Sequence, residues 1–202
     1  MGNLASTYRN QGRWNEAEQL QIQVMEMRKK LLGAEHPDTL ISVGNLASTY
    51  SDQGRWNEAE QLEIQVMEMR KKLLGAEHPD TLSSVACLAS TYSCQGRWNE
   101  AEQLEIQVME MRKKLLGAEH PHTLISVANL ATTYGRQGRW NEAEQLQVQV
   151  MGMRKKLLGS EHPDTLACMG NLAITYKHQE RLSEAELLEL EVININTRIG
   201  RV

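Results

Sequence analysis

The chain has 202 residues, 24% of them charged, a formal net charge of -4 and a pI of about 5.9. Phe is absent, Pro occurs only four times, and Met, Leu, Ala, Glu and Gln are abundant, which is the usage of a nearly all-helical protein. The charge gives no general reason to expect nucleic acid or anionic lipid as a partner. The sequence has no apolar run of roughly twenty residues, no signal peptide and no CxxC pair, so we expect a soluble cytoplasmic protein with no membrane contact.

A forty-two-residue period organises the sequence. It is marked by Tyr8, Tyr50, Tyr92, Tyr134 and Tyr176, and by the recurring blocks LGAEHPDTL and QGRWNEAEQL. We predict a single repeat domain over residues 1–202, with units at about 1–33, 34–75, 76–117, 118–159 and 160–202. The first unit lacks the opening turns of its first helix and the last unit diverges from the others, as expected of a piece of a longer array.

Each unit is predicted to contain two helices, A and B, joined by a tight turn. In the second unit, helix A begins at Pro37, which suits the first helical position because its missing N–H would be unpaired there. It ends at Gly54, a residue that can adopt the left-handed conformation. One face of helix A carries the predicted core residues Leu40, Val43, Leu46, Ala47 and Tyr50.

Helix B of the same unit is predicted to open with Asn57 as its cap, with Glu60 three residues on. It closes on the cations of the Arg70-Lys71-Lys72 triplet, before Gly75. A heptad-like line on this helix predicts a second set of core residues, Ala59, Leu62, Val66, Met69 and Leu73. One hairpin cannot bury both lines alone, so neighbouring hairpins are expected to stack.

The sequence resembles the tetratricopeptide repeat (TPR) family at Leu46, Ala47, Tyr50, Gly54, Trp56 and Ala59. Its longer period is similar to the forty-two-residue repeats of kinesin light chains and nephrocystin-3-like proteins, and to the C-terminal repeats of fungal NOD-like signal-transduction ATPases. The resemblance implies an all-α, right-handed α-solenoid of tandem antiparallel hairpins that binds a protein or extended peptide in a concave groove lined by helix A. In the last unit Glu180 replaces the turn Gly and Leu182 replaces Trp, so that hairpin is expected to be the least well formed.

Differences between repeats are concentrated on one sector of helix A. The second and third units differ only at Ile41/Ser83, Gly44/Ala86, Asn45/Cys87 and Asp52/Cys94. At about 100° per residue these positions lie together, roughly opposite the predicted core face. Two interpretations follow: a ligand-binding surface, or an exposed surface that varies because nothing packs on it.

The resemblance implies that this sector lines the groove, and that Asn45 and its copies match a groove Asn of the kinesin-light-chain type. Cys87 breaks that pattern in the third unit. The predicted groove residues are Asn3, Ser6, Asn10, Ile41, Asn45, Ser48, Asp52, Ser83, Cys87, Ser90, Cys94, Ile125, Asn129, Thr132, Arg136, Asn171, Ile174 and His178.

Catalytic and metal chemistry are not predicted. The repeated Glu35-His36-Pro37-Asp38 segment is interpreted as helix-start chemistry, because a catalytic site would not need a copy in every loop. His120 and His122 have no third metal ligand nearby in the sequence. We therefore predict a protein that is not an enzyme and that has no cofactor and no metal.

Two other functions remain as alternatives. The Arg70-Lys71-Lys72 triplets would form a basic ridge suited to nucleic acid, but acidic residues accompany every triplet and no aromatic residues interleave them. The stronger alternative is head-to-tail self-association, since a repeat stack without polar caps tends to bury its ends against another copy.

Overall fold

The computed structural model describes residues 2–200, with side chains from Leu4 onward. These residues form ten α-helices and include no strand. The helices are α1 (Gly2–Asn10), α2 (Trp14–Leu32), α3 (Pro37–Asp52), α4 (Trp56–Leu74), α5 (Pro79–Cys94), α6 (Trp98–Leu116), α7 (Pro121–Arg136), α8 (Trp140–Leu158), α9 (Pro163–His178) and α10 (Leu182–Arg198). The predicted all-α array of helix hairpins is confirmed.

The chain divides into two compact units, each longer than two of the forty-two-residue repeats. The first unit of the structure is Met1–Leu104 and the second is Glu105–Val202. In the first unit α2 packs between α1 and α3, and α4 packs between α3 and α5. In the second unit α8 packs between α7 and α9, and α9 also packs against α10. Each unit therefore contains a layered stack of helices, with α1 to α5 in the first and α7 to α10 in the second.

The odd-numbered helices from α3 onward begin with Pro, as predicted for helix A. The residue before each Pro is a His whose side chain caps the helix: His36 Nδ1 accepts a hydrogen bond from the Asp38 backbone N–H at 3.1 Å. The same contact recurs at His78, His120 and His162. The repeated His thus satisfies one of the unpaired N–H groups at the helix start, which accounts for its presence in each loop.

The start of helix B differs from the prediction. Helix α4 begins at Trp56, its cap residue is Arg55, and no side chain makes a cap hydrogen bond. The Arg55 N–H donates to the Tyr50 carbonyl at 2.8 Å, and the cap residue lies two residues earlier than predicted. The prediction that Asn57 caps the helix is therefore wrong; its side chain instead accepts a hydrogen bond from Gln95 of the next hairpin at 3.1 Å.

The core of the first unit is built from both helix types. Leu40, Val43 and Val66 form a buried cluster, against which Met25, Leu62 and Met69 pack as partly buried residues. Leu73 is 43% exposed, so its predicted place in the core is wrong. A straight helix drifts by about 20° per heptad, and over the two heptads from Ala59 this drift moves Leu73 away from the core.

The second unit has two buried clusters. One contains Leu124, Val127, Val150 and Cys168, and the other contains Leu166, Met169 and Ile195. Met151 packs against both clusters and so joins the core of one hairpin to that of the next.

Glu180 departs from the pattern of the other turns. It has a φ of 63°, in the left-handed region that only Gly adopts in the other described turns. Glu180 was expected to make the last hairpin the least well formed; the turn nevertheless keeps the positive φ that Gly has in the other turns. No helix in the described part of the chain is both long and apolar enough to cross a bilayer.

Candidate functional site

None of the predicted groove residues with a described side chain is buried. The side chain of Asn3 lies outside the described part of the structure. Asn45 and Ser48 are half-buried, and the rest are exposed: Ser6, Asn10, Ile41, Asp52, Ser83, Cys87, Ser90, Cys94, Ile125, Asn129, Thr132, Arg136, Asn171, Ile174 and His178. The variable sector of helix A is thus a surface, as predicted.

A cavity of about 180 Å³ lies in the first unit, between the two successive A helices α3 and α5. Helix α4 forms its floor. The lining residues are Ile41, Gly44, Asn45, Ser48, Glu63, Val66, Arg70, Ser83, Ser84 and Cys87. Five of these residues, Ile41, Asn45, Ser48, Ser83 and Cys87, were predicted from the sequence, and the fold brings them together.

Glu63 is a residue of this cavity that the sequence analysis missed. It is 6% exposed, and its Oε2 atom is buried without a hydrogen-bond partner among the described residues. Burial raises the pKa of the carboxyl group; hydrogen bonding with Thr91 offsets part of this rise, and the charge of Glu60 adds to it. The sequence signal was available: Glu63 lies four residues after Ala59 and three before Val66, on the inward face of α4.

Arg70, at the other end of the cavity floor, is held by helix α5. Its Nη1 donates to the Asp80 carbonyl at 3.0 Å and to Ser84 Oγ at 2.8 Å. Arg28 and Arg154 make the equivalent contact with the carbonyls of Asp38 and Asp164. The arginine of each of these triplets therefore hydrogen-bonds helix B to the start of the next helix A.

The lysines of the predicted basic ridge also have acidic neighbours. Lys72 Nζ lies 2.9 Å from Glu35 Oε1, and Lys156 Nζ lies 2.8 Å from Glu119 Oε1. These exposed pairs contribute little to stability, but they reduce the positive charge available to a phosphate backbone.

A second cavity, of about 320 Å³, lies in the second unit between α7 and α9. Its lining residues are Ala131, Thr132, Gly135, Arg136, Trp140, Gln147, Asn171, Ile174, Thr175 and His178. The predicted residues Thr132, Arg136, Asn171, Ile174 and His178 come together here. Two cavities, one in each unit, therefore share the same arrangement of successive A helices.

Trp140 is a residue of the second cavity that the groove prediction did not include. Its ring stacks on His178, with ring centroids 4.0 Å apart and an angle of 3° between the planes. A Cβ atom added at Gly135 would lie 3.1 Å from Trp140 Cζ3, so Gly135 leaves room for the indole. The repeat signature identified Trp as a marker of the turn and gave no indication that it stacks on the next helix A.

The remaining predicted residues line neither of these two cavities. Among them, Asp52 lies 3.4 Å from Arg9 in an exposed ion pair on the same surface. Ile125 remains 41% exposed.

The described residues contain no group of three His, Cys, Asp or Glu side chains placed to hold a metal ion. His120 and His122 lie with ring centroids 5.4 Å apart. Cys87 and Cys94 are exposed, Cys168 is buried, and none of them forms a disulfide within the described structure.

The sequence matches the tetratricopeptide repeat family in four overlapping segments, residues 1–72, 44–114, 80–156 and 123–198. Two crystal structures from Podosopora anserina, described as a kinesin light chain with nearly identical TPR-like repeats, are each 37% identical to this chain. They cover 100% of this chain and 95% of theirs, with TM-scores of 0.85 and 0.82.

Two more distant structures share the fold. BtubC from P. vanneervenii is 19% identical, with a TM-score of 0.83 over 98% of this chain and 78% of its own. A STAND signal-transduction ATPase with a tetratricopeptide repeat sensor, from Pyrococcus horikoshii, is 16% identical, with a TM-score of 0.75 over 97% of this chain and 29% of its own. No curated protein has a sequence that matches this chain. The family match over nearly the whole length, together with the stacked hairpins, shows that the chain belongs to the tetratricopeptide repeat family.

Proposed function

We propose that this repeat scaffold binds an extended peptide or protein segment along the exposed face of its A helices. One observation carries the proposal: both cavities are lined by variable residues from two successive A helices. A surface that varied only because nothing packs on it would not need to coincide with concave sites. Concave sites with a few convergent polar groups are where ligands bind most often.

The asparagines suit the backbone of an extended ligand. The side-chain amides of Asn45 and Asn171 line the two cavities and make no hydrogen bond to other described residues. An amide offers both donors and acceptors, so it can pair with a peptide group whatever the ligand's sequence. The neighbouring variable residues, such as Ile41 and Ile174, would then select the ligand's side chains.

The receptor is ordered before binding. The cavity walls are regular helices held by buried contacts, so little ordering of the receptor is needed and most of the entropy loss falls on the peptide. No reaction is proposed for this surface. We place the protein in the cytoplasm, where exposed cysteines such as Cys94 remain reduced.

Binding to a random peptide display library tests the proposal. The wild type is compared with a double variant, Asn45→Ala with Asn171→Ala, which removes one lining amide from each cavity. A control variant, Gln61→Ala with Gln145→Ala, removes two exposed amides from helices α4 and α8 instead.

We expect selective peptides whose affinity falls roughly tenfold or more in the groove variant, since each lost amide contact contributes about 1 kcal/mol, and is unchanged in the control. Failure to select any peptide, or an equal loss in both variants, would contradict binding on helix A.

The second candidate is end-to-end self-association. Helix α10 exposes three apolar side chains on one face: Leu187 (67%), Leu190 (55%) and Ile193 (55%). Met151, which precedes Ile193 by one repeat, is partly buried in the packing between hairpins. A hairpin from a second copy, placed as the next repeat, would cover this face in the same way.

Sedimentation of the wild type and of Leu190→Glu tests this assembly. Self-association predicts a wild type whose mass rises with concentration and a variant that stays monomeric. A wild type that is monomeric over a wide concentration range would contradict self-association.

A further inference from the structure

We propose that the cavity of the first unit binds a cationic side chain, lysine or arginine, of the ligand, with the Glu63 carboxylate as its counter-ion. The inference rests on the proposed peptide-binding function and names the chemistry that the cavity selects. It follows from the buried carboxyl group, the state of its neighbours and the shape of the cavity.

Among the described residues, no cationic side chain acts on the Glu63 carboxyl group. The nearby Glu60 is paired with Arg97, whose Nη1 lies 2.8 Å from Glu60 Oε1. Arg70 is bonded to the start of α5, and it is not among the charges that act on the Glu63 carboxyl group. A buried carboxylate without a counter-ion is costly, so a ligand cation that reaches it recovers part of that cost.

The other groups around the cavity do not compete for this role. Helix α3 contributes no ionisable side chain to the lining, and helix α5 contributes only the Cys87 thiol. Glu60 and Arg70 are the charged neighbours of Glu63 on α4. The carboxyl end of the cavity is therefore acidic whenever Glu63 is ionised.

The cavity has room for the aliphatic part of a long cationic side chain. Its volume of about 180 Å³ is well above the roughly 10–15 Å³ that one water requires. Ile41 and Val66 provide apolar walls. The methylene stem of a lysine or arginine can pack on such walls while its charged end reaches a polar group.

The equivalent position carries Glu in two other repeats, at Glu105 and Glu189, and an uncharged Gln in the remaining two. Gln21 replaces Glu63 one repeat earlier, and its Oε1 accepts a hydrogen bond from Thr49 at 2.7 Å. Gln147 occupies the position in the second cavity and leaves that floor neutral. We therefore infer a preference for a cation at the first cavity and none at the second.

Titration of the full chain with n-butylammonium, followed by NMR of the Ile41 and Val66 methyl groups, tests the inference without a peptide. The neutral 1-butanol serves as the uncharged probe. Glu63→Gln removes the charge and keeps a side chain that the fold accepts at Gln21, and Glu68→Gln makes the same change at an exposed position on α4 outside the cavity.

We expect saturable shifts with n-butylammonium in the wild type and in Glu68→Gln, and a roughly tenfold or greater loss of affinity in Glu63→Gln. Equal affinity for 1-butanol, equal affinity in Glu63→Gln, or no saturable shift in the wild type would overturn the inference.

The peptide library separates this inference from the proposed function. Peptides selected on the wild type should carry Lys or Arg at a fixed position, and those selected on Glu63→Gln should not. Selective peptides with no such difference would overturn the cationic preference and leave groove binding intact. If n-butylammonium binds through Glu63 but no peptide is selected, the proposed function fails and the cation site stands.

Discussion

Arg55 Nη1 lies 2.9 Å from Glu18 Oε1, and this ion pair joins the turn of one hairpin to helix B of the preceding one. The guanidinium also lies 4.0 Å from the centroid of the Tyr50 ring. Arg97 pairs with Glu60, and Arg181 pairs with Glu144, each at 2.8 Å. An Arg in the turn thus binds each of these hairpins to the preceding one. The sequence analysis had assigned Glu60 only to the start of its own helix.

Replacing Glu60 with Gln should lower the melting temperature. Burial raises the pKa of Glu60, but hydrogen bonds from Arg97 and Gln95 outweigh it, so the folded-state pKa is below 4.5. The charged pair therefore stabilises the fold at neutral pH, and a loss on the order of 2–4 °C is expected by thermal unfolding.

The pH dependence of this difference provides its check. A depressed pKa means that the stabilisation is present above the ordinary value of 4.5 and is lost as the pH falls through the folded-state value. The gap between wild type and Glu60→Gln should narrow in acid, and Glu68→Gln serves as the exposed control. Identical melting temperatures at neutral pH would contradict a stabilising role.

Replacing Glu63 with Gln should have the opposite effect. The folded-state pKa of Glu63 is raised above 4.5, so the penalty for its charge is absent below 4.5 and grows as the pH rises through the folded-state value. Thermal unfolding should show the variant more stable than wild type at alkaline pH, with no difference in acid. A variant that is less stable at alkaline pH would mean that the carboxylate is well satisfied.

Gly44 and Gly135 both lie in A helices but differ in the space available to an added side chain. An added Cβ meets nothing within 4 Å at Gly44, whereas at Gly135 it lies 3.1 Å from Trp140 Cζ3. Gly44→Ala should raise the free energy of unfolding by about 0.5–1 kcal/mol, as expected for a helix interior. Gly135→Ala should gain less, because the indole must move.

Urea unfolding measures both effects, and tryptophan fluorescence reports on the stack of Trp140 and His178. We expect the spectrum to change in Gly135→Ala and to stay the same in Gly44→Ala. Equal stabilisation with unchanged spectra would show that Trp140 does not depend on the space at Gly135.

Replacing Glu180 with Gly should stabilise the last hairpin. Glu180 holds a φ of 63°, which costs an ordinary residue about 1 kcal/mol relative to Gly. The other turns use Gly12, Gly54, Gly96 and Gly138 at this position. Urea unfolding should show a gain of about 0.5–1 kcal/mol, and a loss would mean that the Glu180 side chain contributes more than its backbone strain costs.

Local periodicity was sufficient to predict the repeat, the helix pairs and the exposed face of helix A. Pro37, the Gly54 turn and the core residues Leu40 and Val43 lie where the sequence placed them, because caps, turns and amphipathic faces depend on residues close in the chain. The variable residues of the two cavities were likewise found from the sequence, because the side of a helix on which a residue lies follows from its spacing.

Contacts between hairpins required the tertiary structure. Asn57 accepts a hydrogen bond from Gln95 instead of capping its own helix, and Arg70 bonds to the start of α5. Glu63 forms part of a cavity floor because α3 and α5 approach each other above α4. These contacts join residues 10 to 38 positions apart, and only the packing of one hairpin on the next decides which of them meet.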